Sequence, residues 1–395
     1  MRLKIFSSIL ILGAGIYSFA AEEAKILSED RASIFDLNEQ KAIEDSAKLS
    51  KDWINPITYT YSSMEYRDSQ NQDRTSVVAI NQPIFKSGGI YRAIKYASSL
   101  RNATLAEVEI ARKALIKDAT TTLFEIHKIE AQIKKQEYLI KNSELDVQRK
   151  KEQVLSGVLD ASYLDNALLD LNAKRLSLAD LNYNKTALIN KFDTLSDVDY
   201  KSLQLPKLEL ISQEEFISKN KLIQKQESVS DKDYQYSGMI LAKYLPTVSA
   251  VYNYTKYHND HKSSSLTALA GTDTQKYGLT VSMPLDIRAL NDTQSAKIEY
   301  IKSKTQLNIV KDEENSFYKT KLASIKRAEQ KLEIAKEELA TYTSLVQQME
   351  ELSIAGLKTD LDFQTMKNSK AIKELDLDIF NYELQVELLE LYARI

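Results

Sequence analysis

Between Gly89 and Gly157 the chain contains neither glycine nor proline, so nothing in this stretch interrupts a helix. Within it Leu105, Ala119, Ile126, Ile133, Ile140, Val147 and Val154 recur at multiples of seven. Val108, Leu115 and Ile129 fill a second seam three residues further on. That a/d pattern predicts a long helix that buries a narrow stripe by supercoiling against neighbours. Arg112 breaks the first seam, and Gln136, Ser143 and Lys150 dilute the second. At ~1.5 Å per residue, roughly 67 residues make a rod about 100 Å long. Such a rod cannot fold back on a globular core and predicts an extended, shared structure.

Composition agrees with long helices. Of 395 residues only 9 are Gly and 5 are Pro, while 28% are charged; few breakers and many charges disfavour loop-rich globules. The net charge is -3 with both signs interspersed, which argues against a nucleic-acid partner, since that would need a basic stripe. The chain has no Cys, hence no disulfide framework and no thiolate metal site. At the N-terminus Arg2 and Lys4 precede an apolar run from Ile5 to Tyr17, and Ser18-Phe19-Ala20 supplies small residues at a cleavage site. This reads as a secretory signal peptide over residues 1–20, the run being too short to span a membrane comfortably. No later segment is an apolar run of membrane-spanning length, so any insertion must use strands.

Taken in order, Asp36 to Lys51 reads as an amphipathic helix with Asp36 as N-cap and Leu37, Ala42, Ile43, Ala47 and either Leu49 or Trp53 inward. Asn55-Pro56 ends it. A Thr/Tyr-rich strand follows from Ile57 to Tyr66, then a polar loop from Asp68 to Arg74. A second strand runs from Ser76 to Gln82, stopped by Pro83. After Gly157 a helix of about half the length of its predecessor runs from Tyr163 to Leu195 and must return antiparallel to it. Ser196 to Ile211, with Pro206, reads as a linker.

The pattern then restarts. A helix from Gln213 to Ala242 is ended by Pro246, and a strand runs from Thr247 to Lys256. A polar loop with His258 and His261 comes next, then an alternating strand (Tyr277, Leu279, Val281 and Met283 on one parity) stopped by Pro284. From there to Gly356 the chain again lacks Gly and Pro. Tyr318, Ile325, Leu332, Leu339 and Val346 repeat at seven, with Ala328, Ala335, Tyr342 and Met349 as second seam. A shorter helix runs from Phe363 to Tyr392. Pro56, Pro83 and Gly157 match Pro246, Pro284 and Gly356, so the chain reads as two copies of one unit. The first repeat covers residues 21–196, the second residues 213–395, and 197–212 link them.

Each repeat supplies one pair of strands. Four strands leave exposed edges and cannot close a barrel. Three chains would give about 12 strands, within the range of membrane barrels, continuous with a helical tube because each long helix follows the second strand of its pair. The fold class expected is therefore mostly α with a β-barrel, four strands per protomer closing as a 12-stranded transmembrane barrel in a homotrimer.

The strand–Pro–loop–long-helix order, the twofold repeat and the paired turns Ser156-Gly157-Val158 and Ala355-Gly356-Leu357 resemble the TolC family of outer-membrane efflux proteins. Leu164-Asp165-Asn166-Ala167 and Leu361-Asp362-Phe363 stand where that family starts its returning helices. The sequence differs from larger members in ending directly after its last helix and from many members in having no lipidated Cys. The resemblance implies a homotrimeric exit duct of a tripartite efflux pump or type I secretion system, crossing the outer membrane with its helices in the periplasm. It implies contact with outer-membrane lipid and docking to a periplasmic adaptor protein and an inner-membrane transporter, with no cofactor and no enzymatic step. It also implies docking at Gly157, Val158, Gly356 and Leu357, which otherwise read as plain C-cap turns.

Asp160, Asp165, Asp360 and Asp362 cluster around these turns. Threefold symmetry would turn a lumen-facing one into an acidic ring that selects cations; the competing reading is helix capping. Asp362 matches a position where the family places a mouth-lining Asp, and its first-repeat equivalent is Tyr163. The family also implies links at Lys358 and Tyr163 that hold the mouth shut, set against plain solvated side chains. Tyr59, Tyr66, Tyr252, Tyr257, Tyr277 and Trp53 fit an aromatic girdle or ordinary strand propensity. His258 and His261 lack the companions a metal site needs, and His127, alone in a long helix, reads as a surface or groove residue. No G-x-S-x-G, Walker loop, HExxH or Cys nucleophile is present. Two other readings remain: a periplasmic adaptor, which needs one hairpin between β-rich flanks, and an exported structural coiled coil, which does not explain the matched strand pairs.

Overall fold

The computed structural model describes residues 26–65, 72–258 and 272–395. The export segment, Tyr66 and His261 lie outside these. The helices are α1 (Glu29–Ser50), α2 (Gly89–Leu155), α3 (Ala161–Asp193), α4 (Gln213–Lys219), α5 (Lys221–Lys243), α6 (Ala289–Ile354) and α7 (Asp360–Tyr392). The strands are β1 (Thr58–Glu65), β2 (Gln72–Phe85), β3 (Thr247–Tyr257) and β4 (Thr274–Ser282). Two compact units are built from them. Of the described residues, one comprises those up to Asp36, Glu109–Lys221 and Asp312–Ile395, the other those within Leu37–Val108 and Leu222–Lys311. The long helices α2 and α6 have 67 and 66 residues, and the returning helices α3 and α7 have 33 each. The half-length relation read from the glycines therefore holds in both repeats.

Five local expectations need correction. Helix α1 starts at Glu29, not Asp36, because Glu29 and Asp30 supply an acidic first turn that complements the helix dipole. Leu37 and Ile43 are exposed in the single chain, whereas Ala42 is buried. Arg74 belongs to β2, which begins at Gln72. Pro83 does not stop that strand: the register shifts between Pro83 and Phe85, and a bulge accommodates a residue that has no N–H to donate. The helix expected from Gln213 to Ala242 is interrupted at Asn220, an extended residue with φ -61° and ψ 120°.

In the unit holding the strands, the sheet order is β1-β2-β3-β4, all antiparallel. Successive side chains of a strand point to opposite faces, so the register assigns each residue a face. One face carries Tyr59 and Tyr61 from β1, Val78 and Ile80 from β2, Val248, Ala250, Tyr252 and Tyr254 from β3, and Tyr277, Leu279 and Val281 from β4. The other carries Thr58, Thr60, Thr75, Asn81, Thr247, Ser249, Asn253, Thr255, Lys276, Thr280 and Ser282, with Met64, Val77, Ala79 and Val251 as its apolar minority. Tyr257 lies opposite Thr75 on this polar face and so leaves the face that Tyr59, Tyr252 and Tyr277 share; Tyr252 and Tyr277 are directly paired, and Tyr59 stands level with Tyr254. Among the described residues β1 and β4 each have one partner, which leaves two open edges.

The other unit has two clusters of buried side chains that mirror the repeat. Ile116, Ala119, Leu123 and Ile126 of α2 pack with Phe192, Leu195 and Tyr200. Tyr318 and Ile325 of α6 pack with Leu208, Ile211, Phe216, Leu388 and Leu391. The segment between the repeats is thus packed into both clusters, through Tyr200 in the first and Leu208 and Ile211 in the second. Helix α2 buries more than one narrow stripe: Thr122, Leu123, Phe124 and Ile126 are all nearly inaccessible. The reason is a second neighbour. Helix α3 pairs with it through Lys191–Asp118 and Arg175–Glu144, and α7 through Lys128–Glu383 and Lys135–Asp376. His127 sits in this crowd, 6.3 Å from the Tyr200 ring and 6.2 Å from Tyr382. Burial pushes its pKa below the ordinary value, although nearby Glu130 opposes the shift.

The helix break at Asn220 is held by a buried polar knot. The Asn220 side-chain amide donates to Glu314 Oε2 at 2.8 Å, Arg394 pairs with Glu314, and the Lys221 amide donates to the Arg394 carbonyl at 2.8 Å. The Arg394 guanidinium also lies 3.4 Å from the centre of the Phe317 ring. Glu314 is 5% exposed, so removing it leaves a cation and an amide without their anion. Glu314→Ala is expected to cost about 3 kcal/mol, read as a lower urea midpoint by far-UV circular dichroism. A loss under about 0.5 kcal/mol, the ordinary surface range, would contradict this role.

Candidate functional site at the two helix turns

Both long helices end in the same turn. The Gly157 amide donates to the Val154 carbonyl at 3.0 Å and the Val158 amide to the Gln153 carbonyl at 2.9 Å. In the second repeat Gly356 donates to Ser353 at 3.0 Å and Leu357 to Leu352 at 2.9 Å. These two bonds define a Schellman motif, which needs a left-handed residue at the glycine. Gly157 and Gly356 have φ of +73° and +69°, and a Cβ at either would meet nothing within 4 Å. The glycines are thus required for conformation, not to make room within the chain. The residue after each glycine is an exposed apolar one, Val158 at 69% and Leu357 at 72%. Two residues before each glycine stand Leu155 and Ile354, also exposed. Sequence reading overlooked this second pair, although its matched spacing from the glycines was visible.

The acidic residues around the turns differ in what they do. Asp160 is the N-cap of α3, its Oδ1 accepting from the Ser162 amide at 2.9 Å. That bond lowers its pKa. Thr359 caps α7 in a reciprocal box with Asp362. Asp362 Oδ1 also accepts from Arg149 Nη2 at 2.8 Å, and Oδ2 from the Thr359 hydroxyl at 2.9 Å. One carboxylate therefore caps its own helix and ties α7 to α2. Asp165 and Asp360 are exposed, as is Lys358. Tyr163 is exposed, with Lys150 Nζ 5.9 Å from its ring centre. The turns of each repeat bring together the residues proposed from sequence, while Arg149 joins them unforeseen.

Arg149 is the last rung of a ladder. Lys128 pairs with Glu383 at 2.8 Å and Lys135 with Asp376 at 2.6 Å. Asn142 bonds Asn368 and Ser369, and Arg149 pairs with Asp362 at 2.8 Å. On both helices the rungs step by seven residues in opposite directions, as an antiparallel coiled-coil seam requires. The cations stand on α2 and the anions on α7. The signal was present in the sequence as two heptad series of opposite charge, but pairing them required knowing that α7 packs on α2. Among the described residues no group of three or more His, Cys, Asp or Glu is placed to hold a metal ion, and no helix is long and apolar enough to cross a membrane.

The Asp362 carboxyl is held below its ordinary pKa, first by the Thr359 hydroxyl and further by Arg149 and Lys358. A depressed carboxyl contributes stability that is present above its ordinary value of 3.8 and is lost as pH falls through the folded value. Hydrogen exchange at the amides of 356–366 is therefore expected to quicken in the wild type as pH falls below about 4, after correction for intrinsic rates. In Asp362→Asn the exchange should already be faster at neutral pH and lack that step. An identical pH response in both proteins would contradict the assignment.

No protein-family model matches the sequence, and no curated protein matches it. Solved structures do match. The outer membrane protein VceC of Vibrio cholerae superposes with a TM-score of 0.74 at 16% identity, over 95% of this chain and 96% of that one. The CmeC outer membrane channel of Campylobacter jejuni gives 0.71 at 12% identity, over 96% and 85%. The open state of the MtrE outer membrane channel of Neisseria gonorrhoeae gives 0.66 at 13%, over 96% and 89%. Across nearly its whole length, this chain has the fold of these outer membrane channels.

Proposed function

We propose that the chain is one protomer of an outer-membrane exit duct, a homotrimer whose strands close a barrel of about 12 strands and whose helices extend into the periplasm. The observation that carries this reading is the two-faced sheet with two open edges. A face rich in Tyr, Val, Ile and Leu opposite a face on which Thr, Ser and Asn predominate suits lipid outside and water inside. Edges that need partners are removed only by closure with further copies. The shared fold with known outer membrane channels points the same way. Helix α3 supports self-association, since Leu169, Leu176 and Tyr183 recur at seven and are 67%, 70% and 73% exposed, an unfilled coiled-coil seam. An adaptor or a structural coiled coil has no use for a sheet with one lipid-like face.

In this reading substrates pass unchanged through the lumen. The exposed apolar pairs Leu155/Val158 and Ile354/Leu357 at Gly157 and Gly356 dock a periplasmic adaptor that serves an inner-membrane transporter. Asp362 lines the periplasmic mouth, with Asp160, Asp165 and Asp360 around it, and Lys358 and Tyr163 belong to links that keep the mouth narrow. The boundaries 21–196, 197–212 and 213–395 divide the exported chain into repeat, connection and repeat, after a signal peptide over 1–20.

Planar-bilayer recording tests both halves of this proposal. Purified trimer is expected to give discrete conductance steps that a trivalent cation blocks. Asp362→Asn should weaken that block at least about tenfold, as loss of a threefold acidic ring implies. Val158→Asp with Leu357→Asp should leave conductance intact while abolishing adaptor crosslinking in cells. Folded trimers without conductance, in the wild type and in a Lys358→Ala variant alike, would sink the duct.

A further inference from the structure

We propose that the outward face of the sheet carries a binding site for the phosphate of an anionic outer-leaflet glycolipid, built from Arg74, Lys256 and His258. This inference rests on the membrane-spanning reading of the sheet. The apolar face described above contains only two Lys or Arg among its described residues, Arg74 and Lys256, and they are neighbours. The His258 amide donates to the Arg74 carbonyl at 2.9 Å, so these residues stand opposite each other across β2 and β3. Lys256 pairs with Ser76 one step along. Strand alternation puts all three side chains on the face of Val78 and Tyr254. All three are exposed.

Their height on the sheet fixes what they meet. The opposite end of the sheet, at Thr247 and Ser282, is where the helices join. The roughly ten residues from Val248 to His258 rise about 33 Å along the strand at ~3.3 Å each. With a tilt of about 40° that is about 25 Å along the barrel axis, the height of the apolar band of a membrane barrel. The cations therefore emerge at the headgroup plane of the leaflet remote from the helices, where an outward charge is tolerated; in mid-bilayer it would be costly. Aromatic side chains frame them: the Tyr59 hydroxyl is 3.1 Å and the His258 Nε2 2.8 Å from Ser76 Oγ, and the Tyr61 ring is 6.1 Å from the imidazole. Among the described residues of this face, two carboxylates share this margin. Glu65 ends β1, and Asp273 accepts from the Tyr254 hydroxyl at 2.8 Å and the Tyr257 amide at 3.3 Å. They lie on the outer strands' side, leaving the basic residues contiguous on the two central strands. A phosphate on a lipid whose acyl chains lie along Val78, Ile80 and Tyr252 matches both the exposed cations and the apolar surface beside them. A soluble anion would satisfy only the first.

The test uses delipidated full-length trimer in neutral detergent, with purified lipopolysaccharide, inorganic phosphate and phosphatidylcholine vesicles as separate probes. Arg74→Gln with Lys256→Gln is expected to weaken lipopolysaccharide binding roughly thirtyfold, about fivefold per lost cation. Lys276→Gln, on the opposite face, should change it less than about twofold. Both variants should still insert as trimers into phosphatidylcholine vesicles. Equal binding by wild type and the double variant, or inorganic phosphate competing at the lipid's own affinity, overturns the site while leaving the membrane reading intact. Failure of the wild-type trimer to insert overturns both.

Discussion

Two unpaired strand edges govern this structure. A four-stranded antiparallel sheet with one apolar face satisfies neither its edge backbone groups nor that face by itself. Helices that pack over one face would solve half of the problem. Here the helices leave from one end of the sheet instead, since β2 runs into α2 and β4 into α6 through short connections. Among the described residues Tyr59, Tyr277, Leu279 and Val281 of the apolar face stay exposed, and the edges β1 and β4 stay open. In the proposed duct, closure with other copies uses each of these features, and it would make the apolar face an outside and the Thr/Ser-rich face an inside.

The helical unit solves a related problem by different means. A seam of leucines alone would let α2 and α7 slide by a heptad at little cost, because such a stripe repeats every seven residues. The polar rungs from Lys128–Glu383 to Arg149–Asp362 punctuate that seam. Half-exposed pairs of this kind add little stability, but a slip would set Asn142 against Asp376 and leave Arg149 without its carboxylate. We read the ladder as a register device. Its last rung lies at the turn, where Asp362 also caps α7, so changes in ionisation there bear on helix start and helix pairing together.

Much of this was legible in the sequence, for physical reasons. Gly157 and Gly356 were readable because the left-handed turn requires them, and the long helices because nothing between the breakers competes with helix. The strands were readable from β-branched and aromatic residues, and the two faces from alternation. What could not be read depends on partners distant in sequence. Arg149 is an unremarkable surface-like residue until α7 is laid beside α2. Asn220 breaks a helix because Glu314 and Arg394 bury its side chain, which no local propensity foretells. Pro83 looked like a terminator, since a proline usually ends a ladder, yet a bulge let β2 continue. Whether Asp160, Asp165, Asp360 and Asp362 line a mouth, as proposed, is decided by neighbouring copies that one chain does not contain, and among them Asp160 and Asp362 show a local capping role that competes with it.

The most direct test of the account is whether β1 of one copy lies beside β4 of another. The chain has no cysteine, so paired cysteines report without background. Thr60→Cys in β1 would be combined in turn with cysteines at positions 276 to 282 of β4, expressed in cells and oxidised. At one register the account predicts disulfide-linked dimers and trimers, ending in a closed trimeric species that no single-cysteine variant yields. Crosslinks confined to single chains, or linear ladders continuing past the trimer at every register, would contradict it.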